Sequence, residues 1–179
     1  GTFVTIPSSP GFFGGLQRLE PFKELARTAG VQHSDVETSI DAATASPKLA
    51  AVLDTEVGVE LVHIQTIQAI DEIRCMYVND YLIDMGGLFE KLSNYKKSVL
   101  TYMFDECNPS LSFTRSEIFA IEATDKIASK LKVPKGKPVF HMEETYFAAR
   151  GNILGVGFSY FITDNFRFYI TRKAILGSS

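Results

Sequence analysis

The sequence predicts an α+β fold: one mostly antiparallel sheet with flanking helices. Three observations predict it. A unit of helix, glycine turn and two strands occurs twice, over residues 46–82 and 124–161: Lys48, Leu49, Ala50, Leu53, Gly58 and His63 recur as Lys126, Ile127, Ala128, Leu131, Gly136 and His141, each 78 positions on. The alternating segments are joined mostly by short turns, which link antiparallel neighbours, whereas parallel strands need long crossovers. The helical segments do not alternate one-for-one with strands, as a parallel sheet requires. Two equivalent hairpins in one sheet, with a cleft between them, are therefore expected, and a cleft is a place for a ligand.

The elements follow in chain order. Residues 1–15 carry two prolines, four glycines and no charge, and read as a linker. Residues 16–29 set Leu16, Leu19, Phe22, Leu25 and Ala26 at helical spacing, with Gly30 as the stop. Residues 34–41 alternate weakly, as a strand. Ser46-Pro47 opens the first repeated helix, a side-chain cap followed by a proline whose missing N–H costs nothing there. Residues 59–70 alternate well, Asp71-Glu72 turns the chain, and 73–83 return as the second strand. Two short helices are expected over 86–93 and 97–107, with apolar faces from Leu88, Phe89 and Leu92 and from Val99, Leu100, Met103 and Phe104. Residues 111–122 form a strand. Thr124 caps the second repeated helix, which ends near Leu131, and Pro134-Lys135-Gly136 turns the chain. Residues 138–148 and 153–162 make a hairpin around Arg150-Gly151-Asn152. A turn at Thr163-Asp164-Asn165 leads to a last strand over 166–175, and 177–179 read as a frayed tail.

Composition narrows the function. The chain has 179 residues, 45% of them hydrophobic, enough for one sizeable core. Its formal net charge of −3 argues against gripping nucleic-acid phosphates unaided. No apolar run approaches the ~18 residues of a membrane span, and the N-terminus lacks the regions of a signal peptide. Two cysteines, Cys75 and Cys107, without a CxxC pattern fit a reducing cytoplasm and read as small buried hydrophobes.

Catalytic signatures are missing. His33, His63 and His141 form no HxxxH or HExxH, so no metal site is expected. The equivalence of His63 and His141 favours a shared structural role. Glu143 and Glu144, adjacent on a strand, face opposite ways and cannot act as one acid/base pair; one outward charge and one carboxylate paired with a base is the simpler reading. Gly14-Gly15 and Gly86-Gly87 lack the spacing of phosphate loops, and no Gly-x-Ser-x-Gly elbow occurs. Gly155-Val156-Gly157 within a strand marks either a bulge or a pocket floor that side chains would obstruct. No cofactor is implied.

The string Gly1-Thr2-Phe3-Val4 resembles the end of the wing of a GntR-type winged-helix domain. The repeat, the stretch Ala128…Leu131-Lys132-Val133-Pro134…Gly136…Pro138-Val139 and the ending Ser159-Tyr160-Phe161-Ile162-Thr163-Asp164-Asn165-Phe166-Arg167-Phe168 resemble the UTRA domain, the effector-binding module of HutC-type GntR regulators. The resemblance covers about residues 16–175. It implies a chorismate-lyase-like fold, a homodimer, a small-molecule effector, and operator DNA held only through a winged-helix domain expected before Gly1. Residues 1–15 are then the linker, 16–176 the effector domain and 177–179 a tail. The protein is expected to be cytoplasmic, without a membrane partner, and not an enzyme.

Carried over by resemblance, an Arg-x-Arg pair of many members falls on Thr66 and Gln68, a Ser-Leu-Tyr motif on Ser98-Val99-Leu100, a Phe-Thr pair on Phe22-Lys23, a strand Glu on Phe158 and a frequent Tyr on Phe166, while Asp164 is kept. Tyr77, Asn79 and Tyr160 complete the expected effector-binding set of Phe22, Lys23, Thr66, Gln68, Tyr77, Asn79, Ser98, Phe158, Tyr160 and Phe166. Loss of the guanidinium pair removes bidentate recognition of phosphate or carboxylate. A less anionic effector, amphipathic or aromatic and ringed by Phe22, Phe158, Tyr160 and Phe166, is expected, with Lys23 and Arg74 as remaining cations. Two alternatives stay open. One is a chorismate-lyase-like enzyme, which needs Arg74 or Arg115 to converge with Glu143 or Glu144. The other is a dimerisation module with a vestigial pocket.

Overall fold

The computed structural model describes residues 12–16, 18–95, 98–164 and 166–170. In order these form β1 (Phe12–Gly15), α1 (Phe22–Ala29), β2 (His33–Thr44), α2 (Pro47–Leu53), β3 (Glu60–Ile70), β4 (Ile73–Ile83), α3 (Leu88–Ser93), α4 (Val99–Asp105), β5 (Leu111–Glu122), α5 (Asp125–Leu131), β6 (Pro138–Ala148), β7 (Ile153–Phe161) and β8 (Phe166–Tyr169). Six strands make one antiparallel sheet in the order β2-β3-β4-β7-β6-β5, and β1 pairs in parallel with β8 in a second, two-stranded sheet.

The repeat is longer than the sequence pattern suggests. The bounds of β2, α2 and β3 match those of β5, α5 and β6 at the same offset of 78, so the unit is strand, helix, hairpin. Its backbone devices repeat as well. Ser46 Oγ accepts a hydrogen bond from the Leu49 N–H and Thr124 Oγ1 from the Ile127 N–H, satisfying donors that each helix leaves open. Asp54 and Lys132 close the two helices in the left-handed conformation, at φ 49° and 56°. Gly58 and Gly136, at φ 90° and 80°, donate to the Ala45 and Ala123 carbonyls at 2.8 and 2.9 Å. Glycine serves there because a Cβ strains a positive φ.

Two expectations are corrected. The hairpins flank no cleft: β4 pairs directly with β7, from Met76 opposite Phe161 to Leu82 opposite Gly155. Within the linker expected over 1–15, Phe12–Gly15 form β1; residues 1–11 lie outside the described residues. The helix expected from residue 16 begins only at Phe22, because Pro21 takes an extended ψ of 137° and a residue before proline, here Glu20, is steered away from helix. The final strand is seen over Phe166–Tyr169; residues 171–179, with the expected tail, lie outside the described residues.

The helices divide between the sheet's faces. Helices α2 and α5 cover one: Leu53 packs with Leu61 and Val156, and Ile127 and Leu131 with Ile67, Tyr77 and Val139. Helices α1, α3 and α4 cover the other: Leu88, Leu92 and Met103 pack with Val62, Ile64 and Leu82, and Phe22 and Ala26 with Cys75 and Phe161. Each fully buried Leu or Ile contributes about 1.5–3 kcal/mol of hydrophobic stabilisation. Cys75 is buried as expected, and burial pushes its thiol up to about 12; Cys107 is half-buried.

Candidate functional site

Two β-bulges decide what faces the ligand space. From the turn at Asp71-Glu72, Ile70 pairs with Ile73 and Ala69 with Arg74, but Gln68 then pairs with Met76, leaving Cys75 as the extra residue. In the second hairpin Phe147 pairs with Ile153 and Tyr146 with Gly155, leaving Leu154 extra at the equivalent place. A one-residue shift sends every later side chain to the other face. The rows that cross the sheet beneath α1, α3 and α4 are therefore Thr38-Thr66-Val78-Ser159-Met142-Ile118 and Ile40-Ile64-Asp80-Gly157-Glu144-Ser116.

Over these rows lies a cavity of approximately 730 Å³, the size of a small-ligand site. Its floor comes from both repeats. Its walls are Leu16, the stretch Arg18–Phe22 with Leu25, the end of α3 with Tyr95, the start of α4, and Phe168 with Ile170. Ser98 caps α4, accepting from the Thr101 N–H at 3.2 Å, and its hydroxyl lies 2.8 Å from that of Thr101.

The polar part of the floor centres on a glycine. Gly157 sits between Asp80 on β4 and Glu144 on β6. The Tyr146 hydroxyl reaches across it to donate to Asp80 Oδ1 at 2.7 Å. A Cβ on Gly157 would meet the Tyr146 hydroxyl and Asp80 Oδ1, so only glycine leaves room for this bond. Gly155 has a packing reason: a Cβ there would meet the Tyr81 carbonyl and Leu82. Glu144 Oε1 accepts from Ser116 at 2.9 Å and Thr114 at 3.3 Å. Burial pushes the Asp80 carboxyl up to about 7, opposed by the Tyr146 hydrogen bond and reinforced by Glu144. Burial also raises Glu144, against its two hydroxyl partners.

Of the ten residues expected to bind the effector, Phe22, Thr66, Gln68 and Ser98 line this cavity. Tyr77, Asn79, Phe158 and Tyr160 do not; they lie on the opposite face. Counted back from tight turns without bulges, Tyr77 would oppose Thr66 and Phe158 would oppose Met142, and the extra residues Cys75 and Leu154 reverse both placements. The Tyr77 hydroxyl instead lies 2.8 Å from Gln65 Oε1 and 2.9 Å from Asn79 Oδ1, between which its one proton is shared. Tyr160 stacks on His141 with centroids 4.4 Å apart, as Tyr81 does on His63 at 4.3 Å, which gives both histidines the shared structural role expected of them. Lys23 is exposed on α1 and does not line the cavity. The side chain of Phe166 lies outside the described residues. Asp164 pairs with Lys137. The aromatic ring expected around the effector is thus not assembled; Phe22 and Phe161 share the lining with Val78, Met76 and Met142.

Sequence reasoning missed Asp80, Tyr146 and Ser116 as cavity residues and weighed Glu144 only as half of a lyase pair. Alternation from Thr66 reaches them only once the bulges at Cys75 and Leu154 are known, and those appear in the pairing register alone. Glu143 and Glu144 do face apart: Glu143 Oε1 lies 3.1 Å from His141 Nε2, and Glu144 enters the cavity without a basic partner among the described residues. Arg74 is held by Glu37 and the Lys130 carbonyl, both at 2.8 Å, and Arg115 by Glu117 at 2.7 Å. The cation–carboxylate pair that a lyase needs is not assembled among the described residues. Among them, too, no group of three or more His, Cys, Asp or Glu is placed to hold a metal, and no helix is long and apolar enough to cross a membrane.

A bilobal floor roofed by an N-terminal segment is a ligand-binding plan, and the sequence model of the UTRA domain matches residues 28–167. This chain belongs to the UTRA domain family. As a UTRA domain it is an effector-binding module of transcriptional regulation. Solved structures share its fold. PhnF from Mycobacterium smegmatis superposes with a TM-score of 0.79 at 17% identity, over 93% of this chain and 74% of that one. The effector domain of the same protein gives 0.73 at 17% identity, over 86% and 95%. The ligand-binding domain of a GntR-family transcriptional regulator from Bordetella bronchiseptica gives 0.66 at 17% identity, over 82% and 91%. No curated protein matches the sequence of this UTRA domain.

Proposed function

We propose that this chain is the sensing and dimerising part of a bacterial GntR-type regulator, with residues 16–176 as the sensor. A small molecule in the cavity changes the placement of winged-helix domains that precede Gly1 in the full protein, and operator DNA is contacted only through them. One observation carries this reading: the cavity wall includes Leu16 and the stretch Arg18–Phe22, part of the chain leading from the N-terminus. A ligand that packs against that segment has different contacts in two arrangements of it, and differential affinity is what makes a ligand an effector. The long edge strands β2 and β5 expose Val36 and Phe119, surface that a second copy would cover. Cytoplasmic location follows from the regulatory role, and two unpaired cysteines agree with it. The enzymatic alternative loses support from the dispersed arginines.

The test is a metabolite-library thermal shift on this chain, followed by promoter-fragment binding by the full-length protein with and without each hit. A hit is expected to raise the melting temperature, as any ligand of the folded state must, and to change DNA affinity. Stabilisation without any change in DNA affinity would leave a binding module that does not signal. Turnover of chorismate would restore the lyase reading.

A further inference from the structure

Among the described residues the cavity lining is acidic where a phosphate or carboxylate site would be basic: Glu20, Asp35, Asp80 and Glu144 supply four carboxylates against one guanidinium, Arg18. Arg18 is turned to solvent, its side chain 73% exposed and 3.6 Å from Glu20. Asp35 is engaged by Gln68 and lies 3.4 Å from His33. Asp80 and Glu144 are different. Asp80 is only 9% exposed, and each of the two receives hydrogen bonds on a single oxygen from neutral hydroxyls. Asp80 Oδ2 and Glu144 Oε2 receive none from the described residues. No lysine, arginine or histidine is among the groups that shift either carboxyl. Buried carboxylates are ordinarily paired, and an unpaired one is costly.

We propose that the cavity recognises a cationic nitrogen, such as a primary ammonium, on a largely apolar body, with the charge placed at Asp80 and Glu144. The inference rests on the reading of this cavity as the effector site and names the ligand class that site takes. The strands that carry the two carboxyls are separated by β7, so their backbones lie about 10 Å apart at two strand spacings. Val78, Met76 and Met142 in the neighbouring rows take the hydrocarbon. An anionic ligand would meet like charge without a counter-ion among the described residues, a repulsion that discriminates strongly in a desolvated site.

Three probes with one hydrocarbon body test this by titration calorimetry at pH 8: 4-phenylbutylamine, 4-phenylbutyrate and 4-phenylbutan-1-ol. The amine is expected to bind at least about tenfold more tightly than the acid or the alcohol, the scale of one desolvated charge contact. Asp80→Asn and Glu144→Gln should each erase most of that preference and leave the alcohol unchanged within about threefold. Two variants on different strands keep the test decisive if one folds poorly. The proposal is overturned if the acid matches the amine, if the preference survives in both variants, or if no probe binds. The same probes applied to promoter binding by the full-length protein separate the two readings. An amine that binds selectively without altering DNA affinity removes the sensor and leaves the cation site. An acid that binds better and alters DNA affinity does the reverse.

Discussion

The two repeats share a backbone and differ in their cavity side chains. Caps, left-handed closures, glycine turns, bulges and the two His–Tyr stacks correspond one for one. On the cavity face the correspondence ends. Where the first repeat has Thr66 and Gln68 on its inner strand, the second has Glu144 and Tyr146; where β4 has Val78 and Asp80, β7 has Gly157 and Ser159. The devices that determine chain direction are thus present twice, while the charged groups of the floor occur once each, on opposite sides of the β4–β7 seam. The scaffold is duplicated and the site is not.

If that division is right, equivalent scaffold substitutions must cost alike. Leu53→Ala and Leu131→Ala remove side chains that are 1% and 2% exposed under equivalent helices. Each is expected to destabilise by about 2–5 kcal/mol, within about 1 kcal/mol of the other, in denaturant unfolding. A much larger gap would show that the two halves do not share the load.

The floor should break the symmetry. With its folded pKa pushed up to about 7 from an ordinary 3.8, Asp80 holds a proton in the folded state that the unfolded chain releases. Stability from this group is full below about pH 4, falls as pH rises, and is lost above about pH 7. Asp80→Asn keeps an acceptor for Tyr146 and removes the charge. It is expected to raise stability by roughly 1–3 kcal/mol at pH 8 and by little at pH 4, on the scale of ~1.4 kcal/mol per pKa unit. Melting curves across that range check it. An Asn variant less stable than the parent at pH 8 would mean that the carboxylate has a counter-ion.

The finest comparison is between the caps. Ser46→Ala and Thr124→Ala each lose one side-chain acceptor at a helix start and should cost about 1 kcal/mol apiece. Equal losses sharpen the picture of a doubled scaffold; a silent Thr124→Ala would assign the second helix to packing alone.

Much of this was legible beforehand. Helix starts at Ser46 and Thr124, turns at Gly58 and Gly136 and nearly every strand of the main sheet follow from local chemistry that a linear pattern carries: which residue caps, which tolerates positive φ, which alternates. The cavity was half legible. Thr66, Gln68, Ser98 and Phe22 line it, whereas Tyr77, Asn79, Phe158 and Tyr160 sit behind the sheet. Nothing local marks Cys75 or Leu154 as extra residues, because a bulge is a relation between two strands and is set by how both pack.

By itself the sequence determined the duplication and the order of the elements. Only the tertiary structure decided which face of the hairpins meets the ligand, and that it brings Asp80, Glu144 and Tyr146 together around Gly157. Side chains two strands apart come together through register, and register is a long-range property that one unpaired residue reverses.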